Sequence, residues 1–354
     1  MAKILLKDGR VFDGEKFINA NLLIENNVIS AIGNIDEDNA IIIDCTDSII
    51  TSGLVDIHTH FSEMGNKQFG YPAEMSTIPF GVTYAVDGCA LHTNTAVLDN
   101  LLVETKVFVP IFVQDGDINY TALEQILQSY GDRALGIKIY FDASQNNGTT
   151  EAVFKKACAY AKKNGLKVMV HCSYSPISME KIVDVLGPGD IVTHAYHGGC
   201  SAIYENDYIA YKKAKEKGVI IDAGMAGGGH TDFKVFKNAI QCGCIPDVIS
   251  TDITKFSAYI RGGIYGLPMC MSIARLSGMA EKDVFKAVTI NAAKAVNSEE
   301  DWFKIKVNDI ATLSVLKWCE NKIDTLDKEQ NRLESSHGYV CKLTIKNGQI
   351  IYRV

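Results

Sequence analysis

The chain has 354 residues, with 35 Lys and Arg against 42 Asp and Glu for a formal charge of −7; 47% of residues are hydrophobic and 22% charged. That size supports a large domain with a small companion and a core that needs no staples. The acidic balance and the lack of a Lys/Arg stripe argue against a general nucleic-acid binder. No apolar run approaches the ~18 residues of a membrane span. The first ten residues hold too short an apolar run for a signal peptide, so a cytoplasmic location is expected. Ten cysteines show no C-x-x-C spacing and mostly lie inside apolar runs, as small hydrophobes of a reducing compartment would. Cys242-Gly243-Cys244, the nearest to a motif, reads as a reduced pair.

In chain order, residues 4–7 and 10–12 flank Asp8-Gly9, and 21–25 and 28–32 flank Asn26-Asn27; both pairs are hairpin signals. From residue 50 onward short apolar runs alternate with helical patterns. Strands are expected at 50–57, 83–86, 107–113, 134–140, 167–171, 190–194, 219–223 and 247–251. Helical spacing of Ala152, Val153, Ala157 and Ala161 marks 151–164, and 178–186 reads similarly. The chain then returns to strands at 311–315, 339–345 and 349–354, with Asn347-Gly348 as a further hairpin turn.

Eight short strands separated by helices imply an α/β fold, a closed (β/α)8 TIM-like barrel over 51–303. Residues 1–50 and 304–354 are expected to form one small β-sandwich domain from both termini. An open doubly wound sheet is the alternative, but no Gly-x-Gly-x-x-Gly follows the first strand. Gly227-Gly228-Gly229 reads as a mobile loop after the seventh strand rather than a phosphate cradle.

Active sites of such barrels lie at the C-terminal strand ends. There the chain places His58 and His60 on strand one, Lys138 on four, His171 on five, His194 on six and Asp252 on eight. His58 and His60 are two apart and project to one side of a strand. Each residue alone has an ordinary structural explanation: a satisfied core histidine, a snorkelling lysine, a helix-capping aspartate. Together, ionisable groups at five apolar strand ends would be costly unless paired or metal-bound.

In this order the residues resemble the amidohydrolase superfamily, through Gly53-Leu54-Val55-Asp56-Ile57-His58-Thr59-His60. Gly136-Ile137-Lys138, Val170-His171, Asp190-Ile191-Val192-Thr193-His194 and Ile249-Ser250-Thr251-Asp252 are similar to its amidohydrolase/deacetylase, dihydroorotase-like branch. Leu267-Pro268-Met269 and Val288-Thr289-Ile290-Asn291-Ala292-Ala293 fit the same branch. The resemblance implies two divalent metal ions. His58, His60 and Asp252 would hold one, His171 and His194 the other, and N6-carboxylysine at Lys138 would be shared. Zinc suits these ligands, with manganese and iron as alternatives. It further implies a metal-dependent hydrolase that cleaves an amide, cyclic amide or ester of a small polar molecule, expected to be anionic, with a metal-bridging hydroxide. Asp252 would relay the proton.

The departures bear on substrate. Dihydroorotases usually carry Arg where this chain has Ser62, and N-acetylglucosamine-6-phosphate deacetylases a Glu where it has Lys138. Met225 and Thr254 stand where the branch often has histidines; His230 either replaces the first or faces solvent. Substrate-binding candidates are Tyr140, Tyr196, His197, Arg261 and His92. The leading expectation is an N-acyl amino acid deacetylase-like hydrolase. The alternatives are a dihydroorotase- or hydantoinase-like cyclic-amide hydrolase, a deaminase (disfavoured by Lys138) or a non-catalytic scaffold. The partner expected is a small molecule, not nucleic acid or membrane; homo-oligomers occur in such families.

Overall fold

The computed structural model describes residues 3–62, 69–143, 147–260, 265–296 and 303–354. One sheet joins the two ends of the chain. In spatial order its strands are Gln349–Arg353, Arg332–Lys346, Leu313–Leu326, Ser48–Ser52, Lys3–Phe12, Phe17–Glu25 and Val28–Gly33, with Ala40–Asp44 pairing in parallel beside Lys3–Phe12. Its apolar face buries Leu6, Leu22, Ile24, Ile50, Leu313 and Ile345, among others, in one aliphatic cluster. Two of its turns follow the sequence signals. Asn26 and Asn27 adopt φ of 50° and 71°, and Asn347 and Gly348 51° and 74°, the left-handed pair that matches the twist of a tight hairpin.

Asp8-Gly9 is a correction. Lys3–Phe12 is a single strand that pairs with Phe17–Glu25 on both sides of these residues, with a register shift between Leu6 and Gly9. Asp8 takes φ of 60°, and its amide donates to Asn21 Oδ1 at 2.8 Å. A residue pair suited to positive φ fits a bulge as well as a turn. The true turn lies at 13–16, where Asp13 Oδ1 accepts from the amides of Glu15 and Lys16.

The expected strand 50–57 is also divided. Ser48–Ser52 pairs with Lys3–Phe12 and Leu313–Leu326 in the terminal sheet, and only Leu54–Thr59 enters the second sheet. That sheet is parallel and runs Leu54–Thr59, Val82–Asp87, Glu104–Pro110, Ala134–Tyr140, Lys167–His171, Ile191–Thr193 and Ile220–Ile221. The eighth expected strand forms no ladder, yet its segment closes the ring. Val248 bridges Asp222 and Ile253 bridges Thr59. The Asp252 amide donates to His58 O at 2.7 Å, and that of His60 to Ile253 O at 3.1 Å.

Period-two alternation explains how an apolar barrel carries polar groups at its rim. Met169, Ile191 and Val248 belong to one buried cluster, with Ile220 packed against it. Two residues further on, facing the same way, come His171, Thr193, Ser250 and Asp222. The intervening residues, such as Val168, Val170, Ile137, Ile139 and Val192, pack outward in the main core. Helix Glu151–Lys163, N-capped by the Thr150 hydroxyl, buries Val153, Phe154, Ala157 and Ala161. No helix among the described residues is long and apolar enough to cross a membrane.

The glycine run after the seventh strand is not an exposed loop. Gly227 and Gly228 are buried in a short turn, and Gly228 adopts φ of +87°. A Cβ there would lie 2.6 Å from the Leu326 carbonyl, so glycine lets the terminal-sheet hairpin settle on this turn.

Candidate metal centre

The six strand-end residues converge at one rim of the barrel. Lys138 Nζ lies 2.9 Å from His58 Nε2 and 3.2 Å from Met169 Sδ, with its side chain fully buried. Asp252 Oδ1 is 2.8 Å from His60 Nε2 and 3.3 Å from His58 Nε2, and Oδ2 is 3.7 Å from His194 Nε2. The rings of His171 and His194 meet edge to face, 4.5 Å apart. His194 and Asp252 adopt φ of 63° and 48°, unusual for side chains with a Cβ and a form of strain typical of functional sites.

Two imidazoles have their protons assigned by what lies behind them. Thr193 Oγ1 donates to Asp222 Oδ2 at 2.7 Å, so the 3.1 Å contact between Thr193 and His58 Nδ1 takes its proton from the ring. His194 Nδ1 donates to Gly224 O at 2.6 Å. Gly224 has φ of +49°, and a Cβ there would clash with Thr193 Oγ1 and His194 Nδ1, so glycine allows this close approach. Both rings therefore present Nε2 lone pairs to the centre, the form that binds a metal. Asp222 also accepts from Ser250 Oγ at 2.8 Å, and Asp56 from the Thr251 hydroxyl at 2.6 Å.

Burial dominates the electrostatics. It pushes His58, His171 and His194 below the usual histidine range, with the Lys138 charge acting in the same direction, and so keeps the rings neutral. Burial lowers Lys138 to about 8, against the pull of Asp252. Burial opposes ionisation of Asp252, and the hydrogen bond from His60 is among the contacts that outweigh it and hold the carboxyl below its ordinary range.

The donor set fits divalent cations. Nε2 of His194 is buried without a hydrogen-bond partner, and that of His171 meets Asp142 Oδ2 at 3.4 Å. An unsatisfied buried polar atom costs about 1–3 kcal/mol, which a cation would relieve. Ligand atoms of His58, His194 and Asp252 lie within 4.8 Å of one another, as do those of His171, His194 and His230. His230 thus joins the cluster: its ring is 4.2 Å from that of His194, and Nδ1 lies 3.2 Å from Ser173 Oγ.

The other candidates divide. Tyr140 packs 5.5 Å from the His171 ring and hydrogen-bonds Cys89. His197 is 1% exposed beside Tyr174. Tyr196 is a core residue: its hydroxyl donates to Cys244 O and its ring packs on Phe236. His92 is exposed on the loop after the second barrel strand, with no bond or ring contact to the cluster among the described residues. Arg261 lies outside the described residues. Ser62 donates both its amide and its hydroxyl to Asp87 Oδ2.

No family model matches the chain. A deacetylase from Brucella anthropi is 28% identical over 269 residues, 70% of this chain and 66% of that protein. A deacetylase from Agrobacterium fabrum is 26% identical over 80% of this chain and 74% of its own length. Among solved structures, a dihydroorotase matches all of this chain and 98% of its own with a TM-score of 0.86 at 21% identity. The chain is thus similar in sequence to deacetylases and shares the fold of a dihydroorotase. An adenine deaminase of the same fold matches with a TM-score of 0.84 at 20% identity, covering both chains in full. Amidohydrolase barrels with a terminal β-sandwich are thus the architecture to which this rim belongs.

Proposed function

We propose that this chain is an amidohydrolase, a binuclear metal-dependent hydrolase of an amide or ester bond in a small anionic molecule, in the manner of an N-acyl amino acid deacetylase. The observation that carries the reading is the set of buried imidazoles whose Nε2 atoms surround one carboxylate and one buried amine. His58, His60 and Asp252 would hold one ion and His171 and His194 the other. Lys138 would bridge them as its carbamate, a change that needs the neutral amine that burial favours. Zinc suits the imidazole and carboxylate donors. When bound, a pair of such ions supplies an activated water and polarises a carbonyl.

Asp252 stands within reach of Nε2 of His58, His60 and His194, the place from which it can take a proton and pass it to the leaving group. Thr193 and Asp222 hold the His58 ring in the tautomer this requires. Tyr140 and His197 line the substrate side, and Arg261 is retained as a candidate contact. The deacetylase reading is favoured over dihydroorotase chemistry because Ser62 offers no cation and is committed to Asp87. Ten free cysteines accord with a reducing cytoplasm.

Zinc-loaded protein in bicarbonate buffer should release acetate from members of an N-acetyl amino acid panel. A fully metallated enzyme that leaves N-acyl amino acids, acetyl esters and cyclic ureides all intact would contradict this reading.

A further inference from the structure

His58, His171 and His194 are set at the rim by barrel strands, whereas His230 reaches it on the loop after the seventh strand. A loop residue holds a ligand geometry only if its backbone is fixed. Here the backbone is fastened on both sides of the ring. The amides of Met225 and Ala226 donate to Ser250 O and Thr251 O at 3.1 and 2.8 Å, next to Asp252. On the other side the Asp232 amide donates to Tyr196 O at 3.0 Å, two residues past His194, and the Phe233 amide to Asp327 Oδ2 at 2.7 Å. Asp327 is 2% exposed and follows directly on Leu326, whose carbonyl seats on Gly228. The hairpin of Leu313–Leu326 and Arg332–Lys346 thus braces the segment that carries His230.

The ring so delivered sits among ligand atoms. It lies 4.2 Å from the His194 ring and 4.8 Å from that of His171, and ligand atoms of the three imidazoles fall within 4.8 Å of one another. The Asp252 carboxylate divides between two sets of rings. Its Oδ1 is 3.3 and 2.8 Å from Nε2 of His58 and His60, and its Oδ2 is 3.7 and 4.0 Å from Nε2 of His194 and His230. His230 Nδ1 is engaged elsewhere, 3.2 Å from Ser173 Oγ, so Nε2 is the nitrogen that faces the carboxylate.

Hydrogen bonding does not account for this grouping. His194 donates through Nδ1 to Gly224 O, which leaves its Nε2 a buried acceptor, and His230 supplies it no proton. With Nδ1–H donated to the Ser173 hydroxyl, Nε2 of His230 is a lone pair as well. Two imidazole lone pairs beside one carboxylate oxygen are satisfied together by a cation.

We propose that His230 is a third imidazole ligand of the ion assigned to His171 and His194. Apart from the shared Lys138, the two cations are then held by unlike sets: two imidazoles and a carboxylate for one, three imidazoles for the other. Ser173 orients His230 as Thr193 orients His58. The proposal rests on the binuclear reading of the centre, but not on which bond is cleaved.

The test loads the full chain with cobalt(II) in bicarbonate buffer and follows the proton resonances that the paramagnetic ions shift. Each coordinated ring contributes one shifted, exchangeable N–H, so the native chain should show one for each of His58, His60, His171, His194 and His230. His230→Ala should lose one of them. In competition with a chelating dye it should bind one ion more weakly, by more than the about 10- to 100-fold that loss of an outer partner costs, and the other ion as before. Ser173→Ala should weaken the same ion within that range. In His230→Gly, free imidazole should restore affinity, which it would not do for a histidine that only braces the loop. No cobalt uptake by the native chain, a full set of shifted signals in His230→Ala, or unchanged metal affinity in that variant overturns the proposal. A raised KM with metal binding intact also overturns it, by making His230 a substrate contact. Cleavage is followed in parallel: a His230 signal in a chain that leaves N-acyl amino acids, acetyl esters and cyclic ureides intact keeps the ligand and removes the hydrolase reading. Cleavage without that signal does the reverse.

Discussion

The barrel rim and the terminal sheet are both made of strands, yet they treat burial in opposite ways. In the terminal sheet, Leu6, Leu313 and Ile345 fill an aliphatic core, and the charged pairs, such as Lys7 with Asp36, stay outside. At the rim, His58, His60, Lys138, His171, His194 and Asp252 are all 5% exposed or less. Each of those groups carries a desolvation cost that only a partner or a bound cation offsets. The contrast teaches where to look for chemistry: apolar burial reports on folding, and buried polarity without a structural partner reports on function.

The largest effect that would sharpen this contrast is at the rim. Asp252→Asn should lower turnover by about 10²- to 10⁴-fold, as loss of a proton-transfer group does, while the thermal unfolding of the protein stays close to native. Activity near the native level would remove Asp252 from proton transfer. Behind the ligands, Thr193→Val breaks the link between His58 and Asp222 without altering shape. Metal affinity in a competition with a chelating dye should weaken by about 10- to 100-fold. An unchanged affinity would mean that the His58 ring is held by packing alone.

In the terminal sheet the expectation reverses. Ile345→Ala should cost about 2–5 kcal/mol in urea unfolding and leave metal stoichiometry and kcat per metallated chain intact. A loss of metal in that variant would break the separation drawn here. The smallest effect concerns thiols, which both regions bury. Burial pushes Cys45 in the sheet and Cys89 and Cys172 beside the centre up to about 12, so thiol reagents should label the exposed Cys200 and Cys242 first. Early labelling of Cys89 would show the rim to be more open than its burial implies.

What was legible in the sequence follows the same division. The strand-end histidines stood out because an ionisable residue closing an apolar run has no packing reason to be there. The hairpin at Asn347-Gly348 was legible because its turn needs two left-handed residues and the flanking strands alternate. Asp8-Gly9 carries an equivalent local signal, and only long-range pairing with Phe17–Glu25 makes it a bulge. Tyr196 is a pocket candidate by its place just past His194, and the structure puts it in the core instead. The left-handed backbone at His194 ends the alternation and turns Tyr196 into the core. His230 was left open because it follows a glycine run whose path no pattern fixes. Asp327 had no local signal at all, since its position depends on a hairpin from the far end of the chain docking on Gly228 and Phe233.

The central claim is tested most directly by loading the protein with zinc in ¹³C-bicarbonate, then measuring metal per chain together with the carbamate carbon resonance. Two equivalents of zinc with a carbamate signal is the result expected; in Lys138→Ala the signal should be absent and the metal content diminished, with only the metal partly recovered by short carboxylic acids. A native chain that takes up no metal, or holds two ions beside an unmodified Lys138 amine, would contradict it.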